Sequence, residues 1–191
     1  MTAVYVTPWR VDVTVRDAVI DAHGGRRSIA VAPLVRAIAA ALDAAGAPSP
    51  ASIGLILSDD PELAELNATH LGHDGPTDVL SFPLLPPVAF PSHDGGRDRD
   101  RDASQSAAAL FAGPPGQRVQ LGDIIVSVER AAEQAAAGRG GQTGDIRWST
   151  ADELRLLVTH GALHICGWDH AEPAEERAMR ELEQRLLAAS R

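Results

Sequence analysis

The sequence predicts an α+β fold, a single domain in which a small mixed β-sheet is covered by helices. Three observations predict it. The chain has 191 residues, the size of one ordinary domain. Apolar runs of period two and of period 3.6 occur in mixed order along it, which suits one sheet with helices packed on it. Hydrophobic residues make up 45%, enough for a buried core, and with aromatics at 4% that core must rest on Ala, Val, Leu and Ile.

The N-terminal stretch, Met1 to Val15, is strand-like: Val11, Val13 and Val15 alternate with Asp12, Thr14 and Arg16, the pattern of a half-buried strand. From Val31 to Ala45, Leu34, Val35, Ile38 and Leu42 recur at helical spacing, and Gly46 supplies a stop. Ile53 to Leu57 reads as a strand. Asp59 or Asp60 then caps a short helix with Pro61 in its first turn, running to about Asn67. Gly75-Pro76 marks a turn, and Val79 to Leu84 and Leu121 to Val128 are two further strands.

Between those strands, residues 86–116 are rich in Pro, Gly, Ser, Asp and Arg and have no periodicity, so they are expected to form a flexible insertion in the domain spanning 1–191. The Arg-Asp alternation from Arg97 to Asp102 reads first as a solvated, self-neutralising loop, with an RNA-gripping tail as the less favoured alternative. Glu129 to Ala137 is a short Ala-rich helix, followed by a glycine-rich loop from Gly138 to Gly144. Thr150-Ala-Asp-Glu153 has the form of a capping box and starts a helix that Gly167 ends. After Pro173, Ala178, Met179, Leu182 and Leu186 mark a last amphipathic helix.

The net charge is −9, and all 17 basic residues are Arg. This argues against a protein that coats nucleic acid through a broad basic surface, but not against an enzyme that grips a few phosphates locally. No apolar run approaches the length of a membrane span, so no membrane partner is expected. The first residues lack the layout of a secretory signal, and the one cysteine, Cys166, permits no internal disulfide. A cytoplasmic location is the expectation.

The chemistry concentrates in His160-Gly-Ala-Leu-His164-Ile-Cys-Gly167-Trp-Asp-His170. Residues four apart share a helix face, so His160 and His164 can aim their imidazoles at one atom. Gly167 lets the backbone turn, and His170 can swing back as a third ligand. Three neutral imidazoles suit one zinc ion per chain, at about 2.0–2.1 Å each. Structural zinc sites are closed by four protein groups, whereas three ligands leave a position for water, whose pKa falls to about 7. The full double charge left on the metal attracts anions such as phosphodiesters. The helix is therefore expected to flank a substrate cleft.

The spacing fits the zinc-peptidase pattern H-E-x-x-H-x-x-G-x-x-H at all but one position, where Gly161 replaces the Glu that serves as general base. A phosphodiester needs that base less than a peptide does, so Gly161 tilts the reading towards phosphoryl chemistry. Cys166 reads as a small core residue. Asp169 can either hydrogen-bond a ligand imidazole or cap the final helix. Thr77, Asp78 and Ser81 lie at a turn leading into a strand; Asp78 and Ser81 are candidates for the cleft wall, with turn capping the simpler role for Thr77. Asp123 interrupts an apolar strand and needs a partner there, an Arg or a site group.

The histidine block resembles the signature of the YbeY family of bacterial endoribonucleases. Leu66-Asn67 with Pro76-Thr-Asp-Val-Leu-Ser-Phe-Pro83 resembles that family's second block, and Leu121-Gly-Asp-Ile-Ile125 with Gln134-Ala135 its third, all in order. The resemblance implies zinc on the three histidines and single-strand-specific RNA cleavage. It also implies a role in 16S rRNA 3′-end maturation and ribosome quality control, with ribosomal RNA and ribosomal subunit proteins as partners. One position departs: many members carry an aromatic-Arg pair, with the Arg on substrate phosphate, where this chain has His70-Leu71. The insertion at 86–116 is also longer than the family's usual connection. Two other readings compete, a metallopeptidase without the usual Glu base, and a ribosome-assembly binding factor whose zinc is mainly structural.

Overall fold

In β2 (Trp9–Val15), Trp9, Val11, Val13 and Val15 are buried while the residues between them are half-exposed, the alternation that sequence periodicity predicts. In a computed structural model, which describes residues 1–22, 29–91, 117–138 and 148–189, this strand joins a five-stranded sheet. The other strands are β1 (Thr2–Val6), β3 (Ala51–Ser58), β4 (Val79–Pro83) and β5 (Val119–Ser127). Their order is β1-β2-β3-β5-β4. The three inner strands run parallel, and β1 and β4 pair antiparallel at the edges, so the sheet is mixed. β3 lies at the centre with nearly every residue buried, as a strand covered on both faces must be.

The described helices are α1 (Asp17–Ala22), α2 (Val31–Ala44), α3 (Asp60–Leu71), α4 (Val128–Ala136), α5 (Thr150–Ile165) and α6 (Pro173–Ala189). None is long and apolar enough to cross a membrane. Leu34, Val35, Ile38 and Leu42 of α2 and Leu157, Val158 and Leu163 of α5 pack with the valines of β2 in the main core. On the other side of the sheet, Leu63 of α3 meets Leu80 and Ile125 in a smaller cluster.

Several element ends differ from expectation. Asp59 caps α3 by accepting the Glu62 N–H at 3.1 Å, and the helix runs four residues beyond Asn67, to Leu71, before Gly72 takes a left-handed conformation. Val128 starts α4 instead of ending β5, because the Ser127 hydroxyl accepts the Arg130 N–H at 3.1 Å and opens the helix there. α1 has too short an apolar pattern to be legible in the sequence. The start of the expected insertion is built into the core: Pro87–Ala89 form a 3-10 turn, and Ala89 and Phe90 are each 2% exposed. Residues 92–116 and 139–147, which include the Arg-Asp alternation and most of the glycine-rich loop, lie outside the described residues.

Candidate metal centre

α5 carries the first two histidines, and its start is fixed by a capping box one residue earlier than expected. Ser149 Oγ accepts the Asp152 N–H at 3.2 Å, and Asp152 Oδ2 accepts the Ser149 N–H at 3.0 Å. Glu153, which the sequence offers as the partner of Thr150, is instead fully buried and accepts the Trp148 indole N–H at 2.6 Å. Its carboxylate is therefore committed inside the fold and is not the group that reaches back over the helix end.

Gly161 brings α5 close to the sheet. A Cβ there would stand 2.8 Å from Ile124 Cγ2, 3.1 Å from Ser81 Oγ and 3.3 Å from Val79 Cγ2. The Ser81 hydroxyl donates to the Gly161 carbonyl at 3.1 Å, pinning β4 to the helix beside His160. A glutamate in this position has no room, so the peptidase base is excluded by packing as well as by sequence.

The far end of α5 closes with a glycine turn. Gly167, at φ +79°, donates its N–H to the His164 carbonyl at 3.0 Å, and the Trp168 N–H reaches the Leu163 carbonyl at 3.1 Å. This pair of bonds is a Schellman motif, which needs the left-handed residue that glycine supplies. The turn points the Trp168 carbonyl back at the helix, where it accepts Nδ1–H of His164 at 2.9 Å. Across from it, on α6, the Glu183 carboxylate takes Nδ1–H of His160 at 2.6 Å.

These two partners decide the tautomers. A carbonyl or an ionised carboxylate can only accept, so each Nδ1 carries the proton and each Nε2 of a neutral ring carries a lone pair. The two Nε2 atoms face each other at 3.0 Å. Lone pairs at that distance repel unless a proton or a cation lies between them. Two imidazoles on one tetrahedral zinc ion stand about 3.3 Å apart for bonds of about 2.0–2.1 Å, close to this separation. The His170 ring lies 5.0 Å from that of His164 and 5.7 Å from that of His160, centroid to centroid. One ligand atom from each of the three lies within 4.8 Å of the others, so the three histidines can hold a metal ion.

Burial, then the neighbouring His160 and His170, lower the His164 pKa to about 4, against smaller upward pulls from the Trp168 carbonyl and Asp169. A neutral imidazole is the form a metal needs. Cys166 is 1% exposed, and burial pushes its thiol up to about 12, as befits a small core residue.

The remaining candidates make local contacts of their own. Asp169 Oδ1 accepts the His170 N–H at 2.7 Å, so it fixes the backbone of the third histidine. Asp78 accepts the Val79 N–H at 2.8 Å and the Gln134 side-chain N–H at 2.9 Å, tying the start of β4 to α4. Thr77 lies against the same carboxylate, 3.4 Å away. Asp123 pairs in register with Gly54, whose bare face its carboxylate occupies. Leu71 is 56% exposed, and His70 stands edge-on to Phe82 with ring centroids 5.2 Å apart.

Sequence reasoning missed Glu183. Its signal was present, because Glu183 falls on the stripe formed by Met179, Leu182 and Leu186, where a carboxylate is out of place without a partner.

Residues 26–191 match the model of a family described as Endoribonuclease YbeY. A protein of that name from Salinispora tropica is 42% identical over 152 residues, covering 79% of this chain and 82% of its own. One from Beutenbergia cavernae is 40% identical over 138 residues, covering 72% and 73%. Among solved structures, the solution structure of TM1509 from Thermotoga maritima aligns at 20% identity and a TM-score of 0.49, over 94% of this chain and 88% of that one.

Proposed function

Because this chain belongs to the Endoribonuclease YbeY family, we propose that it is a zinc-dependent endoribonuclease that cuts single-stranded RNA at the His160, His164 and His170 site. Its place is the cytoplasm, its task 16S rRNA 3′-end maturation and ribosome quality control, and its partners are ribosomal RNA and ribosomal subunit proteins. The observation that carries the reading is the pair of imidazole Nε2 atoms facing each other at 3.0 Å with both Nδ1 protons committed elsewhere. A zinc ion held there supplies a Lewis acid for a phosphodiester and a means of ionising water near neutral pH.

The chain's own residues set up that chemistry. His160 and His164 present their lone pairs from one rigid helix face, and His170 approaches from the turn that follows. The exposed flank beside His170 leaves the approach open to a large substrate such as a single strand. With no room for a carboxylate at 161, a proton acceptor must come from another group, and a phosphodiester makes the smaller demand for one. This disfavours the peptidase.

The test is cleavage of single-stranded, rRNA-derived RNA by wild type and His164→Ala, with zinc supplied. Cleavage by the wild type alone supports the assignment. Equal cleavage by both sinks it, and folded wild type that associates with ribosomal particles but never cleaves would favour the binding factor.

A further inference from the structure

We propose that Glu183 is a positioning residue of the metal centre: its carboxylate takes the Nδ1 proton of His160, fixing that imidazole with Nε2 bare and aimed at the ion. The inference rests on the metal reading above and adds α6 to the site, a helix that contributes no ligand of its own. Glu183 lies 2.6 Å from His160 and 23 residues away in sequence, so the contact exists only when α6 is docked.

The placement of Glu183 argues for a role beyond packing. Its neighbours on the stripe, Met179 and Leu182, are 2% and 6% exposed, and Glu183 itself is 9% exposed. A leucine would serve that contact without the desolvation that a carboxylate suffers. The bond to His160 gives the carboxylate a reason to be there. His164 obtains the equivalent service from the Trp168 carbonyl, a backbone group that every side chain at 168 would provide. The two inner ligands are thus oriented by different means, one by the turn and one by a side chain.

Charge adds to orientation. Three neutral imidazoles leave the double charge of zinc uncompensated, and a carboxylate on the outer nitrogen makes the ring a more basic ligand. An amide at 183 keeps an acceptor for the Nδ1 proton but loses the charge, and an alkyl group loses both. Glu183→Gln and Glu183→Leu therefore separate the two contributions.

The experiment measures zinc dissociation constants by chelator competition for wild type, Glu183→Gln and Glu183→Leu, with circular dichroism confirming that each is folded. Nitrogen-15 NMR of the imidazoles in the same proteins, freed of metal, reads the tautomer. The expected result is affinity weakened about 10- to 100-fold in Glu183→Leu and less in Glu183→Gln. The His160 proton should stay on Nδ1 in wild type and Glu183→Gln and move partly to Nε2 in Glu183→Leu. Folded variants that bind zinc as tightly as wild type, with the His160 tautomer unchanged, would overturn the role of Glu183 and leave the metal reading standing. Wild type that takes up no zinc would overturn both. If Glu183→Leu does not fold, Glu183→Ala takes its place: weakened zinc affinity with the His160 proton moving partly to Nε2 supports the proposal, and wild-type affinity with the proton still on Nδ1 rejects it.

Discussion

Burial of His164 has a consequence for stability before any metal is bound. With its pKa lowered to about 4 in the fold, against about 6.5 in the unfolded chain, the unfolded state binds more protons between those values. Stability must therefore fall as pH drops through that window and level off above it. Thermal unfolding of the metal-free protein should show a midpoint that declines from pH 7 to pH 5, with a shallower decline in His164→Asn. Burial pushes the Glu62 pKa up, but Arg16 and Ser58 together outweigh it and hold it below the usual value, so its contribution is lost only from about pH 5 downward, at the edge of this range. Identical slopes in the two proteins would show that His164 protonates freely. Gly161 makes a second demand at one position. Gly161→Ala forces a methyl to 2.8 Å from Ile124 Cγ2, and overpacking of this kind costs about 1–3 kcal/mol. Denaturant unfolding measures it directly, and a loss well under 0.5 kcal/mol would mean that α5 can move off the sheet at little cost.

The two ends of α5 do different work, and two substitutions tell them apart. Ser149→Ala removes an N-cap far along the helix from the histidines and should lower stability by about 1 kcal/mol with zinc affinity unchanged. Gly167→Ala places a side chain at φ +79°, at about 1–2 kcal/mol, and sets its Cβ 3.2 Å from Pro87 Cα. It also disturbs the turn that delivers the Trp168 carbonyl to His164, so it should weaken zinc binding too. Unfolding curves and chelator competition on the same samples check both. The helix, its glycine stop and the three histidines were legible in the sequence because spacing alone encodes them. The cap was misplaced by one residue because Ser149 and Thr150 are equally good caps locally, and only the burial of Glu153 against Trp148 breaks the tie. Glu183 was legible as a carboxylate out of place on an apolar stripe, but its partner was not, since that is set by how α6 folds back on α5, which local pattern does not state. The mixed sheet was expected, yet its strand order was not, because pairing of β3 with β5 joins segments some 70 residues apart.

With 26 acidic and 17 basic residues, the chain repels a polyanion at long range. Isolated protein should bind RNA of arbitrary sequence more weakly than ~10 µM at physiological salt, with a shallow salt dependence. Leu71 offers a way to change that, since its side chain is exposed where the resemblance implies an Arg. Leu71→Arg should tighten RNA binding and steepen the salt slope by about one ion, with stability nearly unaltered. Filter binding across a salt series tests both statements, and an unchanged slope would mean that position 71 does not meet phosphate. The path from β4 to β5 is anchored on both sides of residues 92–116. Phe90 is buried before them, Pro91 sits against Gly46, and after them Arg118 bonds to the Pro8 carbonyl and lies over the Tyr5 ring, 5.7 Å from its centroid. The hairpin is thus a socket with fixed rims, and what is plugged into it need not be this protein's own sequence. Exchanging residues 92–116 for an unrelated sequence should leave both anchors and the fold in place, and thermal unfolding checks it: a lost cooperative transition would mean that the rims depend on what lies between them. The same rims would accept a guest domain whose ends match their separation, giving an endoribonuclease scaffold that carries cargo between two of its strands.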